Sequence, residues 1–321
     1  MDINMTIKNG IYPVIHTPLL EDESIDFKGF DKCLGYYLDT DIHGLTILGS
    51  GGELPYFSDQ EQLKIVQYTY NKVQNKKPLI IGVNAYSSAQ AIEKITAYKG
   101  YSSYILLLLT PYYKSSFENY LKAIENIAQH STSPILFYYF PQITGHYFSN
   151  QQLIKLLSIK NIIGIKDSSL HLATARTVLN KLPDTRYFSG LTLVYEHIAA
   201  HGAAGAICPI ATILPMQAAA FFEDLNLNNT KEINKHRTVL KSVLPIANNL
   251  NISVSVQNSL LNILIRSPKP LIKSVTSPHA NIKEALSLLG LPIHATVRSP
   301  LAPISYESKE KIAKILASIK I

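Results

Sequence analysis

The residue in this sequence that most invites chemistry is Lys166, which follows Ile162, Ile163, Gly164 and Ile165 and precedes Asp167, Ser168 and Ser169. Burial among aliphatic neighbours penalises an ammonium, so an amine placed there is expected to spend part of its time neutral and nucleophilic. A neutral amine attacks a ketone, and the imine that results withdraws electrons from the adjacent carbon. On spacing alone, the more ordinary reading is a lysine that pairs at a rim with Asp167 or another carboxylate.

Gly49-Ser50-Gly51-Gly52-Glu53 is the second candidate. Closely spaced glycines let backbone N–H groups approach an anion such as a carboxylate. The run is no dinucleotide fingerprint, because Leu54 stands where a third glycine belongs, and it lacks the Gly-Lys-Ser/Thr of a phosphate loop. Leu48 stands where a nucleophile elbow needs glycine. A tight strand-to-helix turn with no ligand is the plainer alternative.

Tyrosines supply the third candidate. A phenol at Tyr138, one strand before Lys166, would end about 5 Å away if the two strands were neighbours. It could then act as general acid and base, with Ser50 or Tyr113 relaying its proton. Tyr138 and Tyr139 can also be read simply as bulky strand formers. His197 and His201 have metal-ligand spacing if they share a helix, but no carboxylate completes an HExxH pattern, so no metal site is expected. Cys208, in an apolar run, reads as a small core residue.

What must position these groups is a repeated unit. Apolar, β-rich runs begin near Ile11, Gly44, Pro78, Ser103, Pro134, Asn161, Thr185 and Ala204, at spacings of about 20 to 35 residues. Helical periodicity lies between them, at Ser58–Val73, Ser87–Lys99, Phe117–Gln129, Asn150–Leu157 and Leu172–Leu182. Ser58 with Glu61 makes a capping box. The runs are continuously apolar rather than alternating, as in a parallel sheet covered on both faces. Eight such units predict an α/β fold, a (β/α)8 TIM barrel over residues 1–222, with a doubly wound sheet as the alternative. Residues 223–321 read as helices alone, at Ser259–Ile265, Ile282–Leu289 and Ser308–Ile319, an extension packed on the barrel or building a subunit contact.

Composition agrees with a folded protein: of 321 residues, 46% are hydrophobic and 17% charged. The net charge of +7 is spread along the chain without a basic run, which favours an anionic metabolite over nucleic acid. Two cysteines, Cys33 and Cys208, exclude a disulfide framework and fit a reducing, cytoplasmic setting. Met1–Gly10 lacks the basic-then-apolar pattern of a signal peptide. Ala199–Phe222 carries no formal charge, but Gly202, Gly205, Pro209 and Pro215 divide it into a strand and a helix, so no membrane span is expected.

In their order these motifs resemble the dihydrodipicolinate synthase and N-acetylneuraminate lyase family of class I, pyruvate-handling aldolases. The likeness runs from Ile11-Tyr12-Pro13-Val14 through the glycine turn, Thr110-Pro111-Tyr112-Tyr113, Tyr138 with Pro141 and Gly145, and Gly164-Ile165-Lys166-Asp167. It ends with Lys283, Gly290, Arg298, Pro300 and Pro303. The resemblance implies that Lys166 forms the imine with a 2-oxo acid, that Tyr138 shuttles the proton, and that Ser50 with the Gly51 backbone holds the substrate carboxylate. Tyr113 matches a relay tyrosine lent by a neighbouring subunit, which implies a homo-oligomer, at least a dimer and usually a tetramer. The backbone at Ile207 matches a wall of the pyruvate pocket. Neither metal nor organic cofactor is implied, and the partners are pyruvate and an aldehyde.

The departures bear on substrate. Gly51 replaces the turn's second hydroxyl, and Tyr139 replaces the usual asparagine of the tyrosine motif. Ile143 stands where the synthases carry an arginine for the carboxylate of aspartate semialdehyde, and such a charge-assisted contact is worth about 1.5–3 kcal/mol. Thr192 and Leu193 follow Gly190 where sialic acid lyases carry an acidic pair. The expected activity is therefore a Schiff-base aldolase or lyase whose acceptor, given Ile143, Gln142 and Tyr139, is bulkier or less acidic than aspartate semialdehyde. The alternatives are a dehydratase or deaminase using the same imine, dihydrodipicolinate synthase proper, and an inactive ligand-binding paralogue.

Overall fold

The computed structural model describes residues 7–248, 254–268 and 276–319, so residues 1–6 of the segment inspected for a leader lie outside the described residues. Eight strands follow one another as β1 (Gly10–Ile11), β2 (Leu45–Ile47), β3 (Leu79–Ala85), β4 (Tyr104–Leu109), β5 (Ile135–Tyr139), β6 (Ile162–Asp167), β7 (Arg186–Ser189) and β8 (Gly205–Ala206). Each begins one residue from the position read in the sequence. All pair in parallel, in the order β1-β8-β7-β6-β5-β4-β3-β2. The two edges meet just beyond β1. Val14 bridges Thr46 in parallel, Thr46 N donates to Pro13 O at 2.9 Å and Ile15 N to Thr46 O at 2.8 Å. The sheet is thus closed into a (β/α)8 barrel, and the doubly wound alternative falls.

Closure explains the unbroken apolar runs. Along β4, Tyr104, Leu106 and Leu108 join the cluster that fills the barrel, while Ile105, Leu107 and Leu109 join the layer under the helices. Tyr12, Val14, Tyr138, Phe188 and Ile207 share the inner cluster; Phe137, Tyr139, Ile165 and Tyr187 face the helices. Every second residue is buried on a different side, so no polar face appears in the sequence.

The register of β5 against β6 shifts between Ile135 and Leu136: Ile135 pairs with Ile162 but Leu136 with Gly164, so Ile163 is an extra residue. Unshifted counting would set Tyr138 opposite Ile165; with the shift it is opposite Lys166. A one-residue slip exchanges the two faces of a strand, so this bulge is what puts the lysine on the inner face beside the phenol.

Serine caps open four of the helices between strands, the Ser58–Glu61 box read in the sequence among them. Ser58 and Glu61 make a complete capping box at Asp59–Val73, and Ser149 with Gln152 makes another at Asn150–Leu157. Ser87 and Ser116 cap Ser88–Ala97 and Phe117–His130, and Leu172–Lys181 follows β6. A helix at Phe27–Leu38, capped by Asp26, was not anticipated. Gly29 and Gly35 inside it dilute its helical signal. Ala199–Phe222 resolves into a short 3-10 turn, β8, the helix Pro209–Ile213 and the start of Pro215–Asn226. Among the described residues no helix is long and apolar enough to cross a membrane. His197 and His201 do not share an α-helix: His197 lies in a turn after Thr192–Tyr195, and His201 ends the 3-10 turn. Beyond Asn226 come Thr230–Ser242, Leu244–Asn248, Val254–Arg266, His279–Leu288 and Tyr306–Ala317.

Candidate active site

Three of the residues singled out from the sequence converge where the strands end. Lys166 is 4% exposed, and its Nζ lies 4.2 Å from the centroid of the Tyr138 ring. The Tyr138 hydroxyl lies 3.4 Å from Ser50 Oγ, and the two can share a proton. Phe140 stacks on the phenol with ring centroids 5.4 Å apart. Among the described residues Lys166 makes no ion pair, and the rim pairing with Asp167 is not what the structure holds. Asp167 instead accepts hydrogen bonds from Tyr187 Oη and, at 2.7 Å, from Ser169 N. Burial keeps the Asp167 carboxyl above the usual range and the Tyr187 phenol well above its own. Asp167 is therefore an anchor for the loop after β6, turned away from the amine.

The glycine turn leaves β2 through Leu48, whose φ of 51° is left-handed, and closes at Glu53 with φ 59°. Non-glycine residues hold such angles only where their surroundings impose them. A side chain at Gly82 on β3 would lie 1.7 Å from the Leu48 carbonyl oxygen, so glycine there is what admits the turn. From below, Glu53 forms an ion pair with Lys283 in which both side chains are fully buried. Glu53 also accepts from Arg298 N at 3.1 Å. Lys283 donates to Thr296 O at 2.7 Å, and burial lowers its affinity for a proton. The Arg298 guanidinium sits 4.5 Å over the Phe57 ring and pairs with Glu61, holding that carboxyl down at about 2. His279, at the start of His279–Leu288, hydrogen-bonds the Ser50 carbonyl. The C-terminal segment thus acts as the floor of the turn, which explains the Lys283 and Arg298 spacing seen in the sequence.

Other expected residues are placed differently. Ile207 is buried in the inner cluster and donates its N–H to Ser189 O at 3.0 Å; Gly190 N donates to Asp167 O at 2.7 Å. Ile143 is 53% exposed on the short helix Pro141–Thr144. Tyr113 is 81% exposed beside Tyr112 and does not reach Tyr138 within this chain. Tyr139 faces the helices, where its hydroxyl accepts from Phe148 N at 3.2 Å, so it does not shape an acceptor pocket inside the barrel. Gln142 is committed to the Ser168 carbonyl at 3.1 Å. Cys208 lies just past β8, buried against Thr192 Oγ1 at 2.7 Å.

Two groups at the site escaped the sequence reading. His16 ends the first apolar run, at the mouth of the barrel, and Thr46 on β2 is fully buried with its hydroxyl unpaired among the described residues. The signal for His16 is its place as the first polar side chain after the apolar run Ile11–Ile15.

The profile of the dihydrodipicolinate synthetase family matches residues 8–269. The chain belongs to that family. A 4-hydroxy-tetrahydrodipicolinate synthase from Kosmotoga olearia is 28% identical over 317 residues, covering 96% of this chain and 97% of the relative. A prophage protein of the dihydrodipicolinic acid synthase family from E. coli K12, solved in complex with pyruvate, superposes with a TM-score of 0.81 at 21% identity, over 97% of this chain and 98% of that one. A monomeric dihydrodipicolinate synthase variant superposes with a TM-score of 0.79 at 22% identity, over 99% and 98%. These likenesses to solved structures concern the fold.

Proposed function

We propose that this chain is a class I aldolase or lyase that joins Lys166 as an imine to a 2-oxo acid, with pyruvate as donor or product. One observation carries the reading: a buried lysine at the barrel mouth, without a counter-ion among the described residues, lies 4.2 Å from a phenol ring whose hydroxyl faces Ser50. The neutral amine attacks the keto carbon, and the carbinolamine loses water as Tyr138 delivers a proton to the departing oxygen. The imine draws the electron pair of the broken or deprotonated bond toward nitrogen, and Tyr138 moves the proton that balances it. Ser50 Oγ and the Gly51 N–H hold the carboxylate, fixing the keto carbon near Nζ.

Tyr113 is the proposed relay from a neighbouring copy. An 81% exposed tyrosine packed edge-on against an 83% exposed Tyr112 is surface that a second subunit would use, and we propose a homo-oligomer, a dimer or tetramer, in the cytoplasm. Residues 223–321 are proposed as the chain's second unit, an extension packed on the barrel whose described parts beyond Asn226 carry helices. Ile143 opposes the lysine-pathway synthase as the main activity, although curated relatives carry that name.

Borohydride added with pyruvate should leave a reduced adduct on the Lys166 peptide, located by mass spectrometry, and Lys166→Ala should abolish it. An unmodified Lys166 peptide removes the mechanism. Aldehyde release from 4-hydroxy-2-oxo acids separates aldol cleavage from dehydration, and pyruvate binding that survives Lys166→Ala would mark a binding protein instead.

A further inference from the structure

We propose that His16 supplies the substrate-carboxylate hydrogen bond that glycine at position 51 cannot give. The inference rests on the reading of Ser50 and Gly51 as the carboxylate site, where the turn is one hydroxyl short.

A side chain built on Gly51 would meet Val14 Cγ1 at 3.1 Å and His16 Cε1 at 3.3 Å. The imidazole edge therefore stands beside the space that a residue at position 51 would fill. Cε1 is bonded to both ring nitrogens, so each lies one bond from the atom nearest Gly51. His16 follows Tyr12 and Val14 of the inner cluster at two-residue intervals, and it is 2% exposed. Neither Nδ1 nor Nε2 makes a well-formed hydrogen bond among the described residues; only the Val14 backbone comes near the ring, and its carbonyl already accepts from Thr212 Oγ1 at 2.8 Å. Buried polar atoms are almost always paired, and leaving one unpaired costs as much as a lost hydrogen bond. A ligand that accepts from the ring removes that cost.

The surroundings favour a neutral donor. His279 lies edge-on at 5.6 Å between ring centroids, with its nitrogens engaged by Ser277 Oγ and the Ser50 carbonyl. Burial above all, then His279 and Lys283, holds the His16 ring well below the usual imidazole range, so it carries one N–H. That N–H can donate to a carboxylate as a threonine hydroxyl would. A threonine at position 51 and an imidazole at position 16 compete for one space, which ties the two positions together.

Borohydride trapping at graded pyruvate concentrations tests this with the full-length chain. In His16→Val the half-saturating pyruvate concentration should rise about 10- to 100-fold, the range for a hydrogen bond to a charged group. Trapping of hydroxyacetone, a ketone without a carboxylate, should be unchanged. In His16→Val/Gly51→Thr the hydroxyl enters the vacated space, and most of the pyruvate affinity should return. His16→Phe keeps the ring volume without nitrogen and should show the same rise, which covers the case in which the valine variant does not fold. An unchanged half-saturation, or an equal loss with hydroxyacetone, overturns the assignment. Failure of the unmodified protein to trap pyruvate overturns the imine reading instead.

Discussion

Lys283→Met removes one partner of an ion pair in which neither side chain is exposed, and the structure sets what that costs. Glu53 would keep only the Arg298 N–H at 3.1 Å, and the Thr296 carbonyl would lose its donor. Breaking a buried pair from one side typically costs about 3–5 kcal/mol. There is a ceiling on the charge part, because a stranded carboxylate can escape by taking up a proton. For a carboxyl with an ordinary pKa of about 4.3, protonation at pH 7 costs about 4 kcal/mol, at 1.36 kcal/mol per pH unit. The folded variant then binds a proton that the unfolded chain does not, so its deficit shrinks as pH falls, by about 1.4 kcal/mol per unit. Urea unfolding followed by far-UV circular dichroism should show a deficit of about 3–5 kcal/mol at pH 7 that falls to about 1–2 kcal/mol at pH 5. Lys283→Met/Glu53→Gln, with no stranded charge, should recover at least half of the loss at pH 7. A deficit that is flat with pH, or a double variant no better than the single one, refutes the account of the turn's floor.

Tyr138→Phe should lower turnover about 10²- to 10⁴-fold while the Lys166 adduct can still be trapped, because it removes proton transfer and keeps the ring beside Nζ. Ile143→Arg, at a site 53% exposed with room for a longer side chain, should lower the half-saturating concentration of aspartate semialdehyde about 10- to 100-fold in a condensation assay with pyruvate. Arg298 holds Glu61 at about 2 against an ordinary 4.5, so this carboxylate stabilises the fold above about pH 4.5 and the benefit is lost as pH falls toward 2. Solvent screening at this partly exposed pair keeps the loss below the roughly 3 kcal/mol of the full shift, and thermal unfolding of Glu61→Gln across that window should show the slope flattened relative to the parent chain.

The strand starts were legible because a closed parallel barrel buries both faces, which leaves each strand as an apolar island between capped helices. Asp59–Val73 was legible for a different reason, because Ser58 and Glu61 settle its start by local hydrogen bonds, and Ser149 with Gln152 fixes the start of Asn150–Leu157 in the same way. Phe27–Leu38 was hidden by its two glycines. The helix-facing place of Tyr139 is not legible from the motif, because position in a motif says nothing about which face of β5 a residue occupies. The partners of Glu53 lie at positions 283 and 298, more than two hundred residues away, and no local pattern announces that contact.

The lysine and the phenol show where reading by sequence stops. Both positions could be named from residue type, yet their meeting depends on the single extra residue at Ile163 that shifts β6 against β5. Without it, Ile165 would face Tyr138 and the Lys166 side chain would turn toward the helix layer, the side that Phe137 and Tyr187 face. A bulge is a property of two strands at once, so neither strand alone encodes it visibly. The same holds at the turn, where Gly82 on β3 admits a carbonyl from the end of β2 and a C-terminal lysine balances Glu53. The chemistry therefore sits on residues visible one at a time, while their geometry is set by pairs: strand with strand at the amine, and turn with C-terminal segment at the carboxylate side.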